Sequence, residues 1–155
     1  MTKPKPGSIR PVAKNRKAFH DYEVLEKVEA GLVLLGTEVK SLRQGQVAFN
    51  DAYAREKQGE MWLVDLHIAA YTHGGYVNHT PLRPRKLLLH RREITKLAQK
   101  TDRQGLTLVP LEVYFKDGKA KVELGVCRGR KKGDKREAAR EKADKREMER
   151  ARKTR

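Results

Sequence analysis

The chain has 155 residues, 37% of them hydrophobic, and carries 36 Lys/Arg against 20 Asp/Glu for a net charge of +16. That length fits one domain, and the low apolar share puts part of it outside a packed core. No apolar run approaches the roughly 20 residues of a membrane-spanning helix. The basic N-terminus leads into no secretory h-region, and the lone Cys127 excludes an internal disulfide and a multi-cysteine zinc site. A cytoplasmic protein with no membrane insertion is expected.

The charge sits at the ends. Residues 1–17 hold six Lys/Arg and no acid, residues 128–155 hold fourteen against six, and the 110 residues between hold sixteen against fourteen. Such density repels itself unless a polyanion neutralises it, which points to RNA, DNA or an anionic surface as partner. The chain divides into a basic arm (1–14), a core (15–129) and a basic tail (130–155).

Along the core, loosely alternating apolar residues from Tyr22 to Leu35, interrupted at Glu29-Ala30-Gly31, predict a β-hairpin. The period then changes: Val39 and Leu42 are three apart, and Gly45 sits where a short helix would stop. Strands are predicted over Asp51 to Glu56 and Met61 to Ala69 around a Gln58-Gly59-Glu60 turn. Tyr71 to Arg85, with Gly74-Gly75, Pro81 and Pro84, reads as a mobile basic loop. Ile94, Leu97 and Ala98 follow helical spacing up to Gly105, and two strands frame Asp117-Gly118, the strongest hairpin signal in the chain. Six or so short strands with two or three short helices predict a mainly β fold, a closed or nearly closed barrel of the oligonucleotide-binding kind. Beyond Arg128, Met148 is the only large apolar residue, so the tail has no face to bury. Its Ala-rich, charged composition favours a helix once a polyanion offsets the charge, and disorder otherwise.

Four blocks carry most of the information: Asn15-Arg16-Lys17-Ala18 with His20-Asp21-Tyr22; Glu29-Ala30-Gly31 through Gly36 to Arg43; Pro81 to Glu93; and Val122-Glu123-Leu124-Gly125-Val126. In this order they closely resemble the SsrA-binding protein (small protein B) family, the partners of transfer-messenger RNA in bacterial ribosome rescue, over residues 15 to about 136. The resemblance implies a barrel that holds the tRNA-like end of transfer-messenger RNA and carries it into a stalled ribosome. The tail would take the place of missing messenger RNA at the small-subunit decoding region, against ribosomal RNA, and become helical there. A monomer without cofactor or metal is expected.

Folded RNA is read through phosphate, 2′-hydroxyl and unstacked loop bases, and the blocks hold suitable residue types. Asn15, Arg16 and Lys17 can donate to phosphate, or form a solvated basic leader. Glu29, on its own an ordinary turn acid, belongs by resemblance to the RNA-contacting surface, where a carboxylate can accept from base amino groups. Lys40 and Arg43 on the short helix would clamp phosphates, and Gly36 allows either close backbone approach or a strand-to-helix turn. Arg85 and Lys86 extend the basic surface. Of Leu87, Leu88 and Leu89, at least one must leave the core if they lie on a strand. The resemblance places Leu88 and His90 against RNA loop bases, although a lone His is as readily satisfied locally. In the tail it points to Lys131, Lys132, Asp134, Lys135 and Arg136, with Gly133 where the family usually has His or an aromatic residue.

Two other classes compete. A structural ribosome-associated protein would share the basic ends but not the four blocks. A small RNA-processing enzyme would need an acid/base pair, for which Asp65 and His67 at i,i+2 on one strand, or His73 and His79, are the candidates. No nucleophile elbow, P-loop or metal-ligand spacing accompanies them.

Overall fold

The computed structural model describes residues 8–75, 77–129 and 142–150. Its elements in chain order are β1 (Ile9–Lys14), α1 (Arg16–Asp21), β2 (Tyr22–Leu32), α2 (Gly36–Arg43), β3 (Val47–Ala48), β4 (Tyr53–Lys57), β5 (Glu60–Val64), β6 (His67–Ile68), β7 (Arg85–Leu88), α3 (Arg91–Gln104), β8 (Thr107–Lys116) and β9 (Lys119–Gly129). A further, fully exposed helix spans 142–150. Gly133 and the predicted tail contacts Lys131, Lys132, Asp134, Lys135 and Arg136 lie outside the described residues.

Hairpins joined by tight turns assemble the main sheet. Gln58-Gly59 (φ 54° and 81°) links β4 to β5, and Asp117-Gly118 (φ 52° and 78°) links β8 to β9, the left-handed pairs that match strand twist. The strand order is β1-β8-β4-β5-β7-β2-β9, and β9 also pairs with β8, so six strands close into a ring with β1 on its flank. Closure removes strand edges that would otherwise template aggregation. Inside, Leu63, Leu87, Leu108, Val113, Val122 and Leu124 pack with Leu42 of α2 and Leu97 of α3. The architecture is mainly β with a ring-like sheet and short helices, as the sequence predicts.

Three local expectations are corrected. Glu29-Ala30-Gly31 is not a turn: β2 runs unbroken through it, paired with β9 from Tyr22↔Gly129 to Gly31↔Lys121. The alternation breaks because a β-bulge between Val24 and Glu26 shifts its phase. Upstream, Val24 faces a small second cluster with Ala18, Phe19, Val109, Leu111 and Cys127; downstream, Val28, Ala30 and Leu32 face the main core. The predicted strand from Met61 to Ala69 is broken at Asp65 (φ 63°), after which His67–Ile68 pairs with β3 in a separate two-stranded sheet. Asp65 and His67 therefore share no strand face. Finally, β1 pairs with β8 from Ile9↔Lys116 to Lys14↔Glu112, so the folded sheet starts inside the segment read as an arm.

Candidate nucleic-acid interface

Strand register lines up one outward face. Leu88 of β7 stands opposite Gly31 of β2, Gly31 opposite Lys121 of β9, Lys121 opposite Tyr114 of β8, and Tyr114 opposite Pro11 of β1. The neighbours Ala30, Val122 and Val113 are buried in the core, so this row points away from it. Leu88 is 55% exposed, while Leu87 beside it is buried. A Cβ on Gly31 would meet Leu88 Cβ at 3.1 Å, so the glycine makes room for the leucine to lie across β2.

Two residues along, Glu29, Glu123 and Glu112 form a second row. Glu29 accepts a hydrogen bond from the Tyr114 hydroxyl and meets Lys116 Nζ at 3.4 Å. The Tyr114 bond leads in holding its carboxyl below the usual range; burial opposes it, and the charges of Lys116 and Lys121 add to the lowering. The tyrosine hydroxyl is correspondingly pushed well above its ordinary value, by burial and by the carboxylate it donates to. The outcome is an exposed, ionised acceptor held in one place, beside Leu88 and Lys121. Such a group can take a base amino group or a 2′-hydroxyl, and the exposed Leu88 side chain offers an apolar surface beside it.

The helix α2 closes one end of the ring through Leu42 and keeps Lys40 and Arg43 exposed. Arg43 lies 5.8 Å over the Phe115 ring, and Lys40 Nζ 5.4 Å over that of Tyr71, so aromatic contacts aim both cations. Gly36 begins α2 with nothing within 4 Å of a Cβ position, which makes it a strand-to-helix turn. Arg16 and Lys17 are exposed on α1. Lys86 is half-buried on β7 and pairs with Glu60 at 2.9 Å, and His90 is exposed as the cap residue just before α3.

Two predicted RNA contacts lie elsewhere. Arg85 is 0% exposed. Its guanidinium donates to Glu38 through Nε, to the Leu66 carbonyl through Nη1 and to the Pro81 carbonyl at 2.9 Å through Nη2. Burial pushes the Glu38 carboxyl up, but donors from Arg83, the Leu35 N–H and Arg85 outweigh it and leave the group below its ordinary value. The Arg-x-Arg pattern that reads as surface charge is half a buried clamp fastening α2 to β7. Asn15 is 7% exposed and caps α1: its Oδ1 accepts from the Ala18 N–H at 3.2 Å, and its Nδ2 donates to the Pro110 carbonyl at 2.9 Å. Buried and bonded through both its oxygen and its nitrogen, it is a cap that positions Arg16 and Lys17.

Lys121, Lys116 and Tyr114 were not legible in the sequence, because only register across strands distant in the chain brings them beside Glu29 and Leu88. Among the described residues no group of three His, Cys, Asp or Glu could hold a metal ion, and no helix is long and apolar enough to cross a membrane.

Comparison with known proteins identifies the family. The family described as SmpB protein matches residues 12–154. The SsrA-binding protein of Syntrophobacter fumaroxidans is 54% identical over 158 aligned residues, covering 100% of this chain and 98% of the relative. That of Desulfitobacterium hafniense is 56% identical, covering 92% of this chain and 91% of its own. Among solved structures, a chain described under "tmRNA-SmpB: a journey to the center of the bacterial ribosome" superposes with a TM-score of 0.68 at 52% identity, covering 84% of this chain and 95% of that one. With a match across nearly the whole chain and a shared fold, the chain belongs to the SmpB protein family, the SsrA-binding proteins.

Proposed function

We propose that this chain is a non-enzymatic adaptor that binds the tRNA-like domain of transfer-messenger RNA and delivers it to stalled ribosomes for trans-translation. The observation that carries the proposal is the fixed Glu29 carboxylate beside exposed Leu88 and Lys121, on a nearly neutral folded core. A generic polyanion binder has no use for an ionised acid at the centre of its face, since phosphate repels it. A reader of unpaired bases and 2′-hydroxyls does.

The work divides between two parts. Leu88 and His90 meet loop bases, Glu29 accepts from them, and Lys121, Lys40, Arg43, Arg16, Lys17 and Lys86 neutralise phosphates around them. The tail, with fourteen basic residues against six acidic over 128–155, enters the vacant messenger RNA path and contacts ribosomal RNA through Lys131, Lys132, Asp134, Lys135 and Arg136. The exposed helix over 142–150 forms without RNA, earlier than the composition led one to expect, and supports only the helical propensity of that segment.

The test uses two full-scale perturbations. Lys40→Glu with Arg43→Glu should abolish capture of a folded tRNA-like RNA and reduce the salt dependence of any residual binding by about two phosphate contacts. Truncation after Arg130 should leave capture nearly intact and stop rescue of stalled ribosomes in a reconstituted translation system. If the truncated protein loses RNA affinity as badly as the double variant, the division is wrong. Cleavage of the RNA by the intact protein would overturn the adaptor assignment.

A further inference from the structure

The segment joining β6 to β7 reads in the sequence as a loose loop, and none of its described residues between 70 and 78 belongs to either apolar cluster. It is nevertheless braced. The Asn78 side chain pins the loop's other end as a strand partner would: Oδ1 accepts from the Tyr71 N–H at 3.1 Å, and Nδ2 donates to the Tyr71 carbonyl at 2.9 Å. Gly74 packs so closely inside the loop that a Cβ there would lie 2.7 Å from Asn78 Nδ2. Buried His79 ties the base of the loop to the rest of the fold. Its Nε2 donates to the Ile68 carbonyl at 2.8 Å, which leaves Nδ1 to accept from Thr37 Oγ1, 2.9 Å away in the first turn of α2.

This bracing presents rings instead of filling a core. The Tyr71 and His73 ring centroids are 5.5 Å apart with planes at 73°, so a planar group laid flat on one ring meets the edge of the other. His73 is exposed, Val77 beside the corner is 81% exposed, and Lys40 Nζ stands 5.4 Å from the centre of Tyr71. Residues 66–92 contain no acid, and the nearest acid of α2, Glu38, is buried and fully engaged with arginines. Aromatic rings carried on a braced backbone beside a cation, in a segment without carboxylates, match a nucleobase and its phosphate. An acidic peptide would use the cation but leave the rings unfilled.

We propose that the Tyr71–His73 corner is a second stacking site, which holds one unpaired base of the bound RNA while Lys40 takes the adjacent phosphate. It rests on the RNA-binding function above and extends the interface from the Leu88 face around α2.

The experiment uses the full-length protein and a folded tRNA-like RNA in which each unpaired loop nucleotide is replaced in turn by 2-aminopurine. Binding of the wild type should quench one position by stacking. His73→Ala and Tyr71→Leu should abolish that quench and weaken affinity about fivefold or more, with the slope of log affinity against log salt unchanged because no phosphate contact is lost. Tyr71→Phe, which keeps the ring, should behave as wild type. Lys40→Gln should keep the quench and lower the salt slope by about one. The site is overturned if no position depends on His73, if Tyr71→Phe loses affinity as Tyr71→Leu does, or if the variants bind RNA normally and lose ribosome association, which would mark a protein contact. Failure of the wild type to bind the RNA at all would instead sink the function on which the site rests.

Discussion

Replacing Arg85 with Met removes a guanidinium that is 0% exposed while keeping much of its volume. Glu38, equally buried, loses one of three donors and keeps Arg83 and the Leu35 N–H. The Leu66 carbonyl loses its bond from Arg85, whereas the Pro81 carbonyl still accepts from the Ile68 N–H at 3.0 Å. Stranding one member of a buried ion pair costs about 3–5 kcal/mol, and an orphaned buried carbonyl about 1–3 kcal/mol. Because Arg83 continues to neutralise Glu38, the two effects together should destabilise the fold by about 3–5 kcal/mol. Urea unfolding with linear extrapolation measures this directly. The double variant Glu38→Leu with Arg85→Met should be less destabilised than Arg85→Met alone, since no buried carboxylate is left behind. Glu38 also sets a pH signature. Its folded value lies below its ordinary 4.5, so its contribution is complete above that pH and is lost as pH falls through the lower folded value. Glu38→Leu should remove that part of the acid sensitivity. A loss below about 1 kcal/mol in Arg85→Met, accompanied by weakened RNA binding, would refute the clamp and return Arg85 to the RNA surface.

Asn15→Ala should lower stability by about 1 kcal/mol through the lost cap, read from the thermal midpoint, and leave the salt slope of RNA binding unchanged; a reduced slope would make Asn15 a phosphate contact after all. Tyr114→Phe should let the Glu29 carboxyl titrate nearer its ordinary 4.5, upward from its depressed value, as followed by carboxyl NMR. The same variant should weaken RNA binding at neutral pH, where Glu29 remains charged but is no longer held; an unmoved titration midpoint would mean that Lys116 alone sets it.

Part of the candidate face was legible from residue order. Lys40 and Arg43 on a short helix, and one of Leu87, Leu88 and Leu89 leaving the core, follow from spacing, because helix and strand periods dictate which side chains share a face; that the exposed one is Leu88 came from the family resemblance. The errors cluster where one residue shifts a phase or a partner lies far away. A bulge at Val24/Glu26 imitates a turn, and a positive φ at Asp65 ends a strand that hydrophobicity alone would continue. Arg85 and Asn15 are polar residues in basic surroundings, which read as surface until their partners appear: Glu38 is 47 positions from Arg85, and Pro110 is 95 from Asn15.

The sequence by itself determined the mainly β class, the segregation of charge into the ends and the family, because composition, turn chemistry and block order are local properties of the chain. Tertiary structure alone decided which charges stay exposed on one face and which are buried. Ring closure brings Leu88, Gly31, Lys121 and Tyr114 into one row from four strands, and the same closure buries Arg85 beside Glu38. Exposure of a charged side chain depends on what the rest of the chain packs around it, and strand register settles that only when the sheet closes.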